Sequence, residues 1–447
     1  MDQMDQMENK QFENKTVAFH TMGCRLNFSE SGSIAEGFAK RGYKVVEFGS
    51  QADVVFLNTC TVTDSADSSA RNWIRRAVQS SPDGKIVVAG CFAQMEPDQV
   101  KNIEGVDLIL GTSEKYKVFD YLDDDATVQV KIDHDKNFWG AATSLESGQT
   151  RAFLKIQDGC NYICSFCIIP FARGSSRTLG IKEVVAQAQN LVEKGFKEIV
   201  LTGVNIGEYE ANSGEKLSTL VAELQKISGL KRLRLSSVEP NTITEELLKT
   251  LRDGGIYQDH FHLPLQSASD EILTQMRRKY LISDYQRVLH LIDQYYPHAT
   301  IGADVIVGFP GETEELFTST YNFIRDSKLS HLHVFPYSKR KGTSAAKMMN
   351  HVNYNEKKNR VHSIINLGKD KLEKIAASMV GKNYEVLWES FNKEGYLAGH
   401  TSNFMKVKVK QPDAQLLPNV FPNIFPNTIS SAKIIQNCGS ELEASFL

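Results

Sequence analysis

Three cysteines crowd into Cys160-Asn161-Tyr162-Ile163-Cys164-Ser165-Phe166-Cys167, and any fold the chain adopts must present this stretch as a loop on which the thiolates converge. The three-then-two spacing suits three irons of a four-iron cluster. Such clusters normally take four cysteine ligands, so a trio with no fourth cysteine nearby describes a cluster with one iron left for another molecule. Zinc sites usually pair Cys-x-x-Cys hairpins or add histidine, and neither surrounds this segment.

Seven cysteines occur in a chain of 447 residues with a formal net charge of −3. The polar, acidic stretch from Met1 to Lys15 does not read as a secretory signal, and no run of about eighteen uncharged apolar residues reads as a membrane span. The expectation is a cytosolic chain without a membrane partner, in which thiols stay reduced and serve metals or redox chemistry. Affinity for nucleic acid would have to come from local patches, not from the overall charge. Cys438, in Gln436-Asn437-Cys438-Gly439, reads as an incidental thiol.

The remaining three cysteines end similar designs. Thr16-Val17-Ala18-Phe19-His20 leads to a Gly23-Cys24 turn, Val54-Val55-Phe56-Leu57-Asn58-Thr59 to Cys60, and Ile86-Val87-Val88-Ala89-Gly90 to Cys91. Runs of β-branched and aliphatic residues with helix-like stretches between them are how buried parallel strands look. Ligand sites in an open parallel sheet form beyond the carboxyl ends of the strands, so thiols distant in sequence can meet there. One cysteine so placed would be a small buried hydrophobe; three in equivalent positions point to a shared metal site.

A chain this long is expected to divide into two or three domains. Residues 1–14, polar with Met-Asp-Gln twice over, are expected to be a disordered tail and 15–137 an α/β domain. Residues 138–150 read as a small, polar linker, 151–377 as a second domain and 378–447 as a third. From Arg151 six strand-like runs recur, Ala152 to Ile156, Glu198 to Leu201, Leu233 to Ser236, Phe261 to Leu265, Thr300 to Val307 and Leu332 to Pro336. Helical patterns lie between them, such as Lys182 to Lys194 before Gly195 and Ser283 to Tyr296 with Ser283 as its cap. Strands alternating with helices predict a parallel, partly closed (β/α)6 barrel with its chemistry at the strand carboxyl ends.

The cysteine trio follows the first of these strands, Thr202-Gly203-Val204-Asn205 the second, Ser236-Ser237-Val238-Glu239-Pro240 the third and Gly308-Phe309-Pro310-Gly311-Glu312 the fifth. His260 and His262 alternate on the fourth, so at least one points into the barrel, most simply as a satisfied core histidine. Past a helical stretch from Asn355 to Ser378, the short runs Asn383 to Trp388, Gly395 to His400, Met405 to Val409 and Ala432 to Ile435 predict a small β-barrel. Lys406, Lys408 and Lys410 alternate with Val407 and Val409, so their ammonium groups emerge on one face. That face is either a lysine-protected edge or a surface for phosphates. Arg75-Arg76, Arg277-Arg278-Lys279 and Lys339-Arg340-Lys341 are further basic points that could meet phosphates.

Cys-x-x-x-Cys-x-x-Cys with Phe166 before its last cysteine resembles the signature of the radical S-adenosylmethionine enzymes. A cysteine-bearing α/β domain ahead of it resembles the methylthiotransferase family, over nearly the whole chain. The resemblance implies that Cys160, Cys164 and Cys167 hold a [4Fe-4S] cluster that binds S-adenosylmethionine, and that Cys24, Cys60 and Cys91 hold a second, auxiliary [4Fe-4S] cluster. It implies cofactor contacts at Gly203, Ser237, Glu239 and Gly308. His262-Leu263-Pro264-Leu265-Gln266-Ser267-Ala268-Ser269 resembles a further family motif, with Ala268 where glycine is usual. The segments Gly381 to Leu387 and Gly399 to Asn403 resemble the TRAM domain, which binds RNA in related enzymes.

The activity this implies is methylthiolation of transfer RNA, with one S-adenosylmethionine methylating a sulfur at the auxiliary cluster and another giving the radical that activates the target carbon. Thr21-Met22-Gly23-Cys24-Arg25-Leu26-Asn27 resembles the branch acting at C2 of N6-threonylcarbamoyladenosine beside the anticodon, with Arg25 or Arg173 as candidate partners for the threonylcarbamoyl carboxylate. The expected partners are the anticodon stem-loop, a reductant such as flavodoxin or ferredoxin, and a sulfur donor. Alternatives are the same reaction on N6-isopentenyladenosine or on a ribosomal-protein aspartate, and a non-catalytic iron–sulfur RNA-binding protein or redox sensor.

Overall fold

The computed structural model describes residues 14–123, 127–130, 140–143, 149–211, 213–392, 394–410, 425–439 and 441–447. The expected tail, apart from Asn14, and most of the expected linker lie outside these. The chain forms two compact units, one comprising Met1–Gln187, Thr202–Asn205 and Ser338–Ala346, the other Ala188–Leu201, Ile206–Tyr337 and Lys347–Leu447. Among the described residues no helix is long and apolar enough to cross a membrane.

The first unit is built on a parallel sheet of β1 (Thr16–Thr21), β2 (Lys44–Val46), β3 (Val54–Thr59), β4 (Lys85–Gly90), β5 (Leu108–Leu110) and β6 (Thr127–Gln129), in the order β2-β1-β3-β4-β5-β6. Every residue of β3 is buried, because each face is covered by a helix. Val55 and Leu57 pack with Ala70, Ile74 and Ala77 of α2 (Asp64–Ser80), while Val54 and Phe56 pack with Ile34 and Phe38 of α1 (Arg25–Lys40). Alternate residues of a strand point to opposite faces, so a continuous apolar run is what two-sided burial requires. Helix α2 starts where the Thr63 side chain accepts a hydrogen bond from the Ala66 N–H, with Asp64 and Asp67 against the positive end of the helix. Helix α3 (Cys91–Met95) opens directly from β4.

The same unit contains a hairpin of β7 (Ala141–Ala142) and β8 (Arg151–Lys155), then β9 (Gln157–Asp158), the cysteine-trio loop, helix α4 (Ile169–Arg173) and β10 (Arg177–Thr178), which pairs back onto β9.

In the second unit β11 (Glu198–Thr202) pairs in parallel with β12 (Arg232–Leu235), and β13 (His260–His262), β14 (Thr300–Val307) and β15 (Leu329–Pro336) form a parallel set. Single bridges, Leu233 to Tyr257 and Ser237 to His262, connect the two groups. The fourth strand is shorter than its apolar run because Pro264 follows, although Leu263 and Leu265 still donate to the Gly302 and Asp304 carbonyls. Helix α5 (Ile181–Glu193) precedes β11, and α6 (Ile282–Tyr295) begins one residue before Ser283. Its start is fixed by Asp284, whose carboxylate accepts from the Leu281 N–H at 3.1 Å, so Ser283 is not the cap.

Helix α7 (Tyr354–Met379), capped by Asn353, leads into a closed five-stranded barrel. Its strands are β16 (Asn383–Phe391), β17 (Tyr396–Thr401), β18 (Lys406–Lys410), β19 (Thr428–Asn437) and β20 (Leu442–Phe446), wrapped around a buried Trp388. The fifth strand, β20, is not among the runs expected from sequence; its Leu442, Ala444 and Phe446 alternate with polar residues and pack against the barrel core. Val407 and Val409 point into this core, while Lys406 and Lys410 are exposed and Lys408 lies across the Tyr396 ring at 5.1 Å.

Candidate functional site

The strands that precede the first three cysteines are neighbours, and their register sets the thiols side by side. Thr21 is level with Asn58, and Asn58 with Ala89. Cys24, Cys60 and Cys91 therefore leave the sheet just beyond one common row at its carboxyl rim. Gly23 makes the approach possible: its φ is +91°, and a Cβ there would lie 2.5 Å from the Cys60 Cβ and 2.7 Å from its Sγ. Thr59 Oγ1 donates to the Ala89 carbonyl at 2.5 Å, and Asn27 Nδ2 donates to the Met22 and Thr59 carbonyls at 2.8 and 3.1 Å, which ties the turns together.

Burial, with Cys91 and Cys24 close by, pushes the Cys60 thiol up to about 12, and burial also raises Cys91. A thiol so placed stays protonated at neutral pH unless a metal takes the thiolate. Three sulfurs from adjacent strand ends, two buried and that of Cys24 exposed, are a donor set that fits three irons of a cluster.

The second trio lies in the same unit. Cys164 is buried and Cys160 and Cys167 half-buried, on a loop fixed by Cys160 N–H to the Gly174 carbonyl (3.1 Å) and Ala345 N–H to the Ser165 carbonyl (2.7 Å). The Tyr162 N–H donates to Cys160 Sγ at 3.3 Å, the contact expected of a thiolate ligand. Gln157 joins this loop to the segment after β11: its Nε2 donates to the Gly159 carbonyl at 2.7 Å and its Oε1 accepts from the Asn205 N–H at 2.9 Å. The trio and Gly203 thus belong to one neighbourhood. Asn205, only 2% exposed, has both side-chain amide atoms without a protein partner. A buried amide left unpaired fits a polar ligand, such as the amino-acid end of S-adenosylmethionine. Sequence reading stopped at the glycine of this motif and passed over the asparagine.

The other expected cofactor residues lie in the second unit. Ser237 is half-buried beside the unpartnered hydroxyl of Ser236, and the Glu239 carboxylate is taken by Arg278. Gly308 donates its N–H to Glu312 at 2.7 Å, and a Cβ there would meet Lys357 at 2.2 Å, so packing alone requires glycine. His260 and His262 share one face. His260 bonds Thr300 at 2.8 Å and stacks on Phe404, while His262 and His333 both reach Asp304 Oδ1, at 3.1 and 3.2 Å. Burial opposes the Asp304 charge, but the two imidazoles outweigh it and hold the carboxyl well below its usual range.

Two expectations are corrected. Arg173 is not available to a substrate carboxylate, because it is buried and paired with Glu30 and Asp158. Of the basic points, the middle arginines turn inward: Arg278 to Glu239, and Arg340 to Thr61, Asp64 and Asp67, leaving Arg277, Lys279, Lys339 and Lys341 exposed.

Comparison with known proteins matches residues 16–111 to a family described as "Uncharacterized protein family UPF0004" and residues 154–324 to the radical SAM superfamily. The threonylcarbamoyladenosine tRNA methylthiotransferase MtaB of Bacillus subtilis is 42% identical over 407 residues, covering 88% of this chain and 90% of that protein. A tRNA-2-methylthio-N(6)-dimethylallyladenosine synthase of Caldicellulosiruptor saccharolyticus is 34% identical, covering 90% and 88%. Among solved structures, the radical S-adenosylmethionine methyltransferase TsrM of Kitasatospora setae shares the fold, with a TM-score of 0.54 over 72% of each chain at 15% identity.

Proposed function

The chain belongs to the radical S-adenosylmethionine methylthiotransferase family, and from that premise we propose that it inserts a methylthio group at C2 of N6-threonylcarbamoyladenosine beside the anticodon of transfer RNA. The observation that carries this reading is the level row of Cys24, Cys60 and Cys91 in the same compact unit as the Cys160, Cys164 and Cys167 loop. When bound, S-adenosylmethionine at one [4Fe-4S] cluster supplies a 5′-deoxyadenosyl radical, and a second cluster supplies the sulfur that becomes the methylthio group.

The residues divide the work. Cys160, Cys164 and Cys167 hold the first cluster, with the Tyr162 N–H stabilising the Cys160 thiolate. Asn205 offers a donor and an acceptor to the cofactor's amino-acid end, and the family pattern assigns Gly203, Ser237, Glu239 and Gly308 to further contacts. Cys24, Cys60 and Cys91 hold the second cluster. The aryl C2–H is too weakly acidic for a side-chain base to remove usefully, so these residues need only orient and shield. Lys406, Lys408 and Lys410 offer a basic face to the RNA backbone. A reductant such as flavodoxin or ferredoxin and a sulfur donor complete turnover.

The choice of base rests on Thr21-Met22-Gly23-Cys24-Arg25-Leu26-Asn27 and on the names of the relatives. Nucleoside mass spectrometry of transfer RNA from a deletion strain tests it: N6-threonylcarbamoyladenosine should accumulate without its methylthio group and regain it on complementation. Loss of methylthio from the isopentenylated nucleoside instead would assign the chain to the other substrate. A sensor without catalysis predicts no 5′-deoxyadenosine when reductant and S-adenosylmethionine are added to anaerobically reconstituted protein.

A further inference from the structure

Near the row of three cysteines the first unit holds an ionic cluster whose carboxylates and most of whose cations are buried. Glu30 of α1, wholly buried, accepts from Lys115, from Lys155 at 2.9 Å and from Arg173 at 3.0 Å. Asp158 accepts from Lys155 at 2.7 Å, Arg173 at 2.9 Å and Arg177 at 3.4 Å. Among the described residues, four cations thus meet two carboxylates. Arg177 is half-buried at the edge of the cluster, and the buried cations Lys115, Lys155 and Arg173 still exceed the two carboxylates by one; burial disfavours the Lys115 ammonium while Glu30 favours it. Removing charge from water is costly unless it is compensated, so a surplus sealed inside a domain calls for an anion nearby.

The cluster is wired to all three cysteine turns. Arg173 donates to Asn27 Oδ1 at 2.7 Å, and Asn27 in turn donates to the carbonyls of Met22 and Thr59, which flank Cys24 and Cys60. Lys115 reaches Asn58 Oδ1 at 3.4 Å, the oxygen that a Cβ on Gly90, just before Cys91, would meet at 2.6 Å. Arg173 ends the helix that follows the second trio, and Lys155 and Asp158 precede that trio. The field of Arg173 falls on Cys91 and Cys24. Three thiolates on a [4Fe-4S] core leave it net anionic, the sign of charge the surplus lacks.

We propose that Glu30, Lys115, Lys155, Asp158 and Arg173 form an electrostatic coupler that fixes the cysteine row relative to the second trio and sets the reduction potential of the cluster on Cys24, Cys60 and Cys91. This rests on the assignment of a cluster to those cysteines. A cation beside a cluster stabilises its reduced form, so removing one lowers the potential and removing a carboxylate raises it. Arg173 and Glu30 are positioning residues here, since neither is a ligand.

The test is a redox titration followed by electron paramagnetic resonance on full-length, anaerobically reconstituted protein carrying Cys160→Ala, Cys164→Ala and Cys167→Ala, so that the auxiliary signal stands alone. Iron and sulfide are assayed first: a chain that binds none in this background overturns the cluster assignment itself. With the cluster in place, Arg173→Gln should shift the reduction equilibrium about tenfold toward the oxidised form, a fall of about 59 mV for one electron, and Glu30→Gln should shift it the other way. Lys155→Met, which removes a buried ammonium paired with both carboxylates, supplies the downward arm if Arg173→Gln does not fold. Unchanged potentials, or shifts of one sign in both arms, would overturn the coupler while leaving the cluster assignment standing.

Discussion

Single residues decide whether the cysteine row can close. At Gly23 both the left-handed backbone and the 2.5 Å approach to Cys60 exclude a side chain. Gly23→Ala is expected to cost about 1–3 kcal/mol and to lower iron bound at the first three cysteines, while 5′-deoxyadenosine formation persists. The same split separates the two proposed sets of ligands: Cys164→Ala should abolish cleavage of S-adenosylmethionine, and Cys60→Ala should keep cleavage and lose methylthiolation, as read by product chromatography. Equal loss of cleavage in both would contradict the division. His331 makes a pH-dependent contribution, because burial lowers it from 6.5 to about 4. Between those values the unfolded chain binds a proton that the folded chain refuses, so stability falls as pH drops through that window, by about 1.4 kcal/mol for each unit traversed at most. Chemical denaturation at pH 7 and pH 5 should show a smaller difference in His331→Gln.

At the scale of elements, the terminal barrel is held to the strands of its own unit by buried arginines. Arg234 pairs with Glu198 at 2.9 Å and donates to the Ser402 and Thr401 carbonyls at 2.9 and 3.0 Å. Arg234→Met leaves the buried Glu198 carboxylate with Arg232 at 3.9 Å and takes the donor from two carbonyls, and should cost about 3–5 kcal/mol, part of it recovered by adding Glu198→Gln, as read by chemical denaturation. On the outer face of β18, replacing Lys406, Lys408 and Lys410 with serine should flatten the salt dependence of RNA binding by about 0.7–0.9 in slope for every lysine that meets a phosphate. An unchanged slope would leave the three as a protected edge. The strands were legible where apolar runs were unbroken, as in β3 and β14. β20 escaped although its inward Leu442, Ala444 and Phe446 alternate with polar residues as a strand should, because five residues with a central alanine and serine make a weak run, and the start of α6 was misplaced because Asp284, not Ser283, satisfies the free N–H.

Across the molecule, what was readable is what repeats locally. The six cysteines proposed as cluster ligands stood out by spacing and by their place after strands, whereas the buried ion pairs join residues 85 to 143 positions apart, such as Glu30 to Lys115 and to Arg173. A lysine inside the apolar run Ala152 to Ile156 was the one available hint that a buried partner exists. The inward turn of Arg278 and Arg340 likewise depends on distant carboxylates. These six of the seven cysteines fall in the first compact unit. Iron removal by anaerobic chelation should therefore lower the calorimetric transition of that unit and leave the other's in place, since a metal bound only by the folded state stabilises what holds it.

The common row of Thr21, Asn58 and Ala89 is counted along the strands and not along the crossovers. Lengthening the connection between Cys24 and β3 leaves the rim untouched, whereas deleting one residue within β3 turns Asn58 to the opposite face. Distant chains built on this plan are better sought by the short interval from strand end to thiol than by the long, freely drifting intervals between one thiol and the next.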